Sequence, residues 1–261
     1  MYVGVEGKVL LVTGGTQGVG KAIAIEAARS GAEGVMITGR NLRRGASVAE
    51  ELEAMGIETG FVDAALDDPD APAAIIQATL DRFGRIDALA NAAALTDRGS
   101  VAEADIDFID RMFAVNTRAP LLLMQEMIRH LKERRAHGAI VNILSVNVHG
   151  GTPDLGIYAA SKAALATLTK NAAYSHRFDR VRINGILLGW TDTPGEREMQ
   201  AMQLGKGEGW LAKAEAQMPW RRLIKPDDVA RLALFLLSDV SVPMTGSLID
   251  QDQSYILGVR D

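Results

Sequence analysis

Tyr158 and Lys162 stand four residues apart in Tyr158-Ala159-Ala160-Ser161-Lys162. On a helix, positions i and i+4 share one face, so phenol and ammonium can overlook the same site. A free tyrosine titrates near 10 and is a poor base at neutral pH. Bringing it down to about 7 or 8 takes roughly 3–4 kcal/mol of preferential phenolate stabilisation. One ammonium at about 4 Å supplies about that much at an intermediate dielectric. Ser145, thirteen residues earlier, ends the apolar run Ile140–Leu144 and could donate to an oxygen that gains negative charge. Asn116, in Phe113-Ala114-Val115-Asn116-Thr117, is a poor choice inside a helix, because its amide competes for backbone hydrogen bonds. A local kink holding a water is the expected reason for it.

A second group of residues has the composition of a phosphate site. In Thr13-Gly14-Gly15-Thr16-Gln17-Gly18-Val19-Gly20, glycines follow a β-branched run and precede a helical pattern. Such a turn lets backbone approach a pyrophosphate, and the helix N-terminus offers it unpaired N–H groups. The spacing is TGxxxGxG rather than the more general GxGxxG. The next strand ends at Thr38-Gly39-Arg40-Asn41. Gly39 offers no carboxylate for a ribose 2′-hydroxyl, and Arg40 offers a guanidinium suited to a 2′-phosphate. The expected cofactor is therefore NADP(H), with NAD(H) second.

The elements that must position these groups alternate. Strands are expected at Val9–Val12, Val35–Thr38, Thr59–Val62, Ala88–Ala90, Ala139–Ile143, Arg182–Leu187 and Ser247–Ile249. Helical periodicity fills Val19–Ser30, Leu42–Met55, Asp70–Phe83, Ala104–Arg135, Tyr158–Phe178 and Asp227–Leu237. Continuous apolar strands imply burial on both faces, so the expected fold is a doubly wound α/β domain on a mostly parallel sheet. Gly195–Pro226, rich in Met, Trp, Lys and Glu, reads as an inserted helical flap.

Composition narrows the alternatives. The 261 residues carry a net charge of −5 with charges interspersed, which gives no basic stripe for nucleic acid. Arg43–Arg44 and Lys132–Arg135 read as solvated helix faces or ends. The chain has no cysteine, so thiolate nucleophiles, disulfides and zinc-thiolate sites are out. The four histidines, His130, His137, His149 and His176, lack ligand spacing, and no metal is expected. Nothing reads as a signal peptide or a membrane span, so a cytoplasmic protein is expected. Asn147 and His149 follow Ser145 closely enough to line a substrate pocket, and Trp190 and Glu196 are further candidates. Met199, Met202, Trp210, Met218 and Trp220 of the flap read as packing residues.

In the kind and order of these residues the chain resembles the short-chain dehydrogenase/reductase family, in its compact single-domain branch, from Gly7 to about Ile249. Thr13 through Gly20 match the glycine signature, and Asp63 looks like the family's adenine-holding Asp. Ala90-Asn91-Ala92-Ala93 only partly matches Asn-Asn-Ala-Gly, with Ala93 where the family has glycine. Leu188 replaces a proline before Gly189, and Ile249-Asp250-Gln251-Asp252-Gln253 departs from Val-Asp-Gly-Gly. The resemblance implies one Rossmann-like domain over residues 1–261, with seven strands and a flap at about 190–226. It implies hydride exchange between NADP(H) and a secondary alcohol or ketone. Tyr158 would exchange the proton, Ser145 polarise the carbonyl, Lys162 lower the tyrosine pKa and hold the ribose, and Asn116 support a water. Gly14, Thr16, Gln17, Gly18, Val19, Gly20, Arg40, Asp63, Ala64, Asn91, Ala93, Tyr158, Lys162, Gly189, Thr191 and Thr193 would contact the cofactor. A homotetramer, or a homodimer, built partly on the two long helices is implied as well. Enoyl-reducing relatives space Tyr and Lys by seven, and epimerase relatives carry a second lobe. The rival of another class is a catalytically silent NAD(P)-binding sensor or scaffold.

Overall fold

The computed structural model describes residues 4–150 and 152–254. Seven parallel strands lie in the order β3-β2-β1-β4-β5-β6-β7. They are β1 Val9–Thr13, β2 Gly34–Gly39, β3 Glu58–Asp63, β4 Ala88–Asn91, β5 Gly138–Ile143, β6 Val181–Leu188 and β7 Leu248–Gln251. The order reverses between β1 and β4, which pair Leu10 with Ala88 through Thr13 with Asn91. At such a reversal the connections leave in opposite directions and open a crevice beyond the strand ends.

Both faces of the sheet are covered, which explains the unbroken apolar strands. Leu10 and Val12 pack with Ile23, Ala27, Val229 and Leu237 on one face. Leu11, between them, packs with Ile75, Leu123 and Met127 on the other. The first layer belongs to α1 (Gly18–Arg29), α2 (Leu42–Glu53) and α9 (Pro226–Leu237). The second belongs to α3 (Ala71–Phe83), α5 (Ala119–Glu133) and α6 (Gly156–Ser175).

The long helix expected over Ala104–Arg135 is broken. It forms α4 (Ile106–Phe113), a π-helical turn at Ala114–Arg118 and then α5. A π turn inserts a residue without ending the helix, so the chain stays helical across it while the face presented by the next segment shifts. The kink expected at Asn116 therefore exists as a widened turn. The flap is helical: α7 Pro194–Glu198, a π turn at Met199–Gln203 and α8 Trp210–Gln217. Its Trp210 is buried with Leu223 and stacks on Trp190, ring centroids 5.9 Å apart. Met202 and Trp220 are exposed, against the expectation that they pack.

Candidate active site

The carboxyl ends of the strands open into a cleft of about 790 Å³. At one end it is built by backbone. Gly14 and Gly18 have φ of 66° and 54°, in the left-handed region that favours glycine. A Cβ on Gly20 would lie 2.3 Å from the Gly14 carbonyl oxygen. Helix α1 starts after Gln17 with no side-chain cap and no acidic residue in its first turn. Its N–H groups and positive dipole end are thus left for an anion. The Thr13 hydroxyl accepts from the Ala92 and Ala93 amides at 3.1 and 3.2 Å, tying the β4 loop to the glycine turn. Gly14 faces the main chain of Ala93: a Cβ on Gly14 would come within 2.8 Å of Ala93 Cα and 2.9 Å of its nitrogen. These residues fit the pyrophosphate of a dinucleotide. Arg40 and Arg44 line the cleft beyond the glycine turn, and Arg44 donates to Gln17 Oε1 at 2.6 Å. Arg44 is exposed, as expected of a solvated helix face or end, and lines the cleft as well.

Farther along, β5 and α6 bring Ser145, Tyr158 and Lys162 onto one wall. Ser145 Oγ accepts from Asn147 N and Nδ2 at 3.1 and 3.2 Å. Burial pushes the Tyr158 phenol above its ordinary value, while the adjacent Ser145 hydroxyl pulls it down. Lys162 is 2 % exposed and donates to the Ile143 carbonyl at 2.7 Å. Burial alone lowers its ammonium to about 8. The expected acidification of Tyr158 by Lys162 is thus not what the protein groups produce. The ammonium is engaged by the strand carbonyl, and desolvation of the phenolate dominates.

Asn116 lies behind this wall, not on it. Its Oδ1 accepts from Leu95 N at 2.8 Å, and its Nδ2 donates to Leu95 O at 2.9 Å and Ser161 Oγ at 3.1 Å. Ser161 in turn donates to the Tyr158 carbonyl at 2.7 Å. The widened turn therefore fastens the β4–α4 loop to the helix that carries Tyr158 and Lys162.

Of the expected cofactor contacts, Gly14, Thr16, Gln17, Gly18, Val19, Gly20, Arg40, Ala64, Ala93, Gly189, Thr191 and Thr193 line the cleft. Asp63 and Asn91 do not. Asp63 is exposed at the end of β3, and Asn91 is buried, donating to Asn142 Oδ1 at 2.8 Å. Among substrate candidates Asn147, Trp190 and Glu196 line the cleft. His149 does not; its Nε2 lies 3.2 Å from Asp250 Oδ1, on the side of β7.

Sequence reading missed Arg98, Asp154 and Gln200 altogether, since each comes from a loop or flap without a motif. Trp190 Nε1 and Gln200 Nε2 donate to Glu196 Oε1 at 2.8 and 2.7 Å. The two ends of the flap are joined by Asp192, which takes two bonds from Arg197 at 2.6 and 2.8 Å and one from Lys225 at 2.8 Å. The Arg197 bonds, with help from Lys225, hold the Asp192 carboxyl down at about 2. Among the described residues, no group of His, Asp or Glu could hold a metal, and no helix is long and apolar enough to cross a membrane.

A family model described as Enoyl-(Acyl carrier protein) reductase matches residues 14–255. The chain is 34% identical over 245 residues to the short-chain dehydrogenase/reductase FrzI of a Cladobotryum species, covering 93% of each. Its fold superposes on L-sorbose reductase from Gluconobacter frateurii, solved with NADPH and L-sorbose, with a TM-score of 0.92, 26% identity and coverage of 99% and 100% of the two chains. The 3-ketoacyl-(acyl-carrier-protein) reductase of Brucella melitensis, solved with NADH, gives a TM-score of 0.83 at 28% identity, covering 95% of this chain and 98% of that one. The shared sheet order, the glycine turn and similarity along nearly the full length lead to one assignment: the chain belongs to the short-chain dehydrogenase/reductase family of oxidoreductases.

Proposed function

We propose that this protein interconverts a secondary alcohol and a ketone, with NADP(H) preferred over NAD(H) and Tyr158 as the acid/base. The observation that carries the reading is the meeting of a serine hydroxyl, a buried phenol and a buried ammonium on one wall of a cleft whose far end is an uncapped helix N-terminus. The nicotinamide supplies or removes the hydride when bound. In reduction Tyr158 gives its proton to the substrate oxygen, and in oxidation it takes the proton back. Burial keeps the phenol protonated at neutral pH, the state a proton donor needs. Ser145, oriented by Asn147, donates to the same oxygen and steadies its charge. Lys162, one turn along α6, places a cation behind the phenol at neutral pH. Asn116 acts as a positioning residue through Leu95 and Ser161. The four-residue spacing of Tyr158 and Lys162 favours carbonyl over enoyl reduction.

The preference for NADP(H) is supported by Arg40 and Arg44 on the cleft wall and by the lack of a carboxylate at Gly39. The same reading takes residues 1–261 as one domain with a substrate flap at about 190–226, and the protein as a cytoplasmic homotetramer acting on a small molecule. Its rival, a silent dinucleotide-binding scaffold, has no use for a phenol held against a serine hydroxyl.

The test is Tyr158→Phe. Turnover of ketones with NADPH should fall by about 10³-fold while NADPH affinity stays within twofold. Comparable turnover by the variant would refute the assignment of Tyr158. A wild-type protein that binds NADPH and reduces no carbonyl would establish the scaffold.

A further inference from the structure

We infer that the cleft is cut for a compact, uncharged, polyhydroxylated carbonyl compound or alcohol, such as a ketose or polyol. In this inference Arg98 is the specificity-determining residue, donating to a substrate hydroxyl beside the reacting carbonyl. It rests on the carbonyl/alcohol reading above and adds the substrate class.

Arg98 stands on the β4–α4 loop with its side chain only 20% exposed. Its Nε is buried and has no hydrogen-bond partner. The nearest carboxylates, Asp154 Oδ2 from Nε and Glu196 Oε1 from Nη2, are each 3.7 Å away. That distance balances charge but is too long for a hydrogen bond. The terminal guanidinium nitrogens make no hydrogen bond to the described residues either, and because Arg98 lines the cleft they, rather than the enclosed Nε, are the donors an arriving acceptor meets.

The surrounding charge says what kind of acceptor. Two carboxylates already flank Arg98, so a substrate carboxylate or phosphate would meet Asp154 and Glu196 as well as the cation. A hydroxyl meets no such repulsion, and it both donates and accepts. It therefore matches a wall where donor Arg98 alternates with acceptors Asp154 and Glu196. Glu196 is fixed for this by Trp190 and Gln200, and Lys206 Nζ donates to Gln200 Oε1 at 2.7 Å. Arg98 and Glu196 both act electrostatically on the Tyr158 phenol, in opposite directions, which places them around the reacting end of the cleft.

Size follows from the partition beside Arg98. A second cavity of about 410 Å³ lies against α4, with Phe108, Met112 and Met199 on its walls. Leu95, Arg98 and Leu204 line both cavities. An apolar tail reaching the second cavity would have to push Arg98 away from its carboxylates. A short polar chain leaves it in place.

The experiment compares D-fructose, 2-hexanone and 2-oxohexanoate, with turnover followed as NADPH oxidation and binding followed by tryptophan fluorescence of the NADPH complex. The wild type should favour fructose over both others by at least about tenfold in kcat/KM. Arg98→Met should collapse the fructose-to-hexanone ratio by about 100-fold, mainly through KM, because a site built to bond a hydroxyl discriminates strongly against its loss. Arg98→Lys should recover part of the ratio. Preference for hexanone or the oxo acid would overturn the inference, as would equal losses on fructose and hexanone in Arg98→Met. If no carbonyl is turned over, fructose binding that Arg98→Met abolishes still supports the inference while the catalytic reading fails. Absence of fructose binding overturns the inference.

Discussion

The two ends of the cleft are built by different means. The dinucleotide end is made of main chain: a glycine turn, an uncapped helix start and the ends of β1, β2 and β4, all before α4 in the sequence. The other end is lined by side chains from distant segments, Arg98, Asp154 and Glu196, beside a flap whose two ends are joined through Asp192, Arg197 and Lys225. Backbone chemistry tolerates little change, because a peptide group cannot be exchanged. Side-chain chemistry can be rewritten one residue at a time. On the proposed reading, the first end determines the kind of cofactor and the second determines which alcohol is turned over.

The sharpest way to break this contrast is Gly20→Ala. Its methyl would meet the Gly14 carbonyl at 2.3 Å, where no side chain can give way. NADPH affinity, read by fluorescence titration, should fall about 100-fold or more, and Tm should drop by several degrees. An alanine variant with ordinary affinity would show that the turn is looser than its contacts imply.

Lys162→Met probes the wall between the two ends. Its ammonium titrates at about 8 in the fold against 10.5 in the free chain, so burial of the charge opposes folding by up to about 3 kcal/mol at pH 7. The sign is fixed. The unfolded chain holds a proton that the native state releases between about 8 and 10.5, so wild-type stability rises with pH through that window. The Met variant should lose most turnover yet resist urea better at pH 7. Its advantage should be constant below about 8 and shrink above it. A variant less stable than wild type at pH 7 would contradict a strained ammonium.

The smallest effect is expected where the dinucleotide end does use side chains. Arg40→Ala and Arg44→Ala should each weaken NADPH by about tenfold, the worth of one exposed charge-assisted contact, and leave NADH unchanged. Equal losses for both cofactors would mean that these arginines shape the loop and do not read a phosphate.

The legible parts of the molecule were those with a short-range signature. Strands buried on both faces, the glycine turn and the grouping of Ser145, Tyr158 and Lys162 were all readable from spacing. Asn116 was recognisable as an anomaly, but not as a π turn, because the segments on either side remain helical and the shift between them is only one residue. Arg44 looked like a solvated charge, and its cleft position depends on where α2 packs. Arg98 carries no motif. Its meaning comes only from Asp154 and Glu196, brought beside it by the fold. Asp63 is expected only from the family resemblance and His149 only from its nearness to Ser145, and neither side chain lines the cleft.

The grip of Asn116 on Leu95 has an evolutionary consequence. Its amide pairs with both main-chain groups of Leu95, as a neighbouring strand would. Such an anchor is indifferent to side-chain identity, so positions 96 and 97 can mutate while the loop stays moored to the helix that carries Tyr158. Position 98 is the exception, because its charge is felt by the phenol, and there a change of selectivity also touches the chemistry.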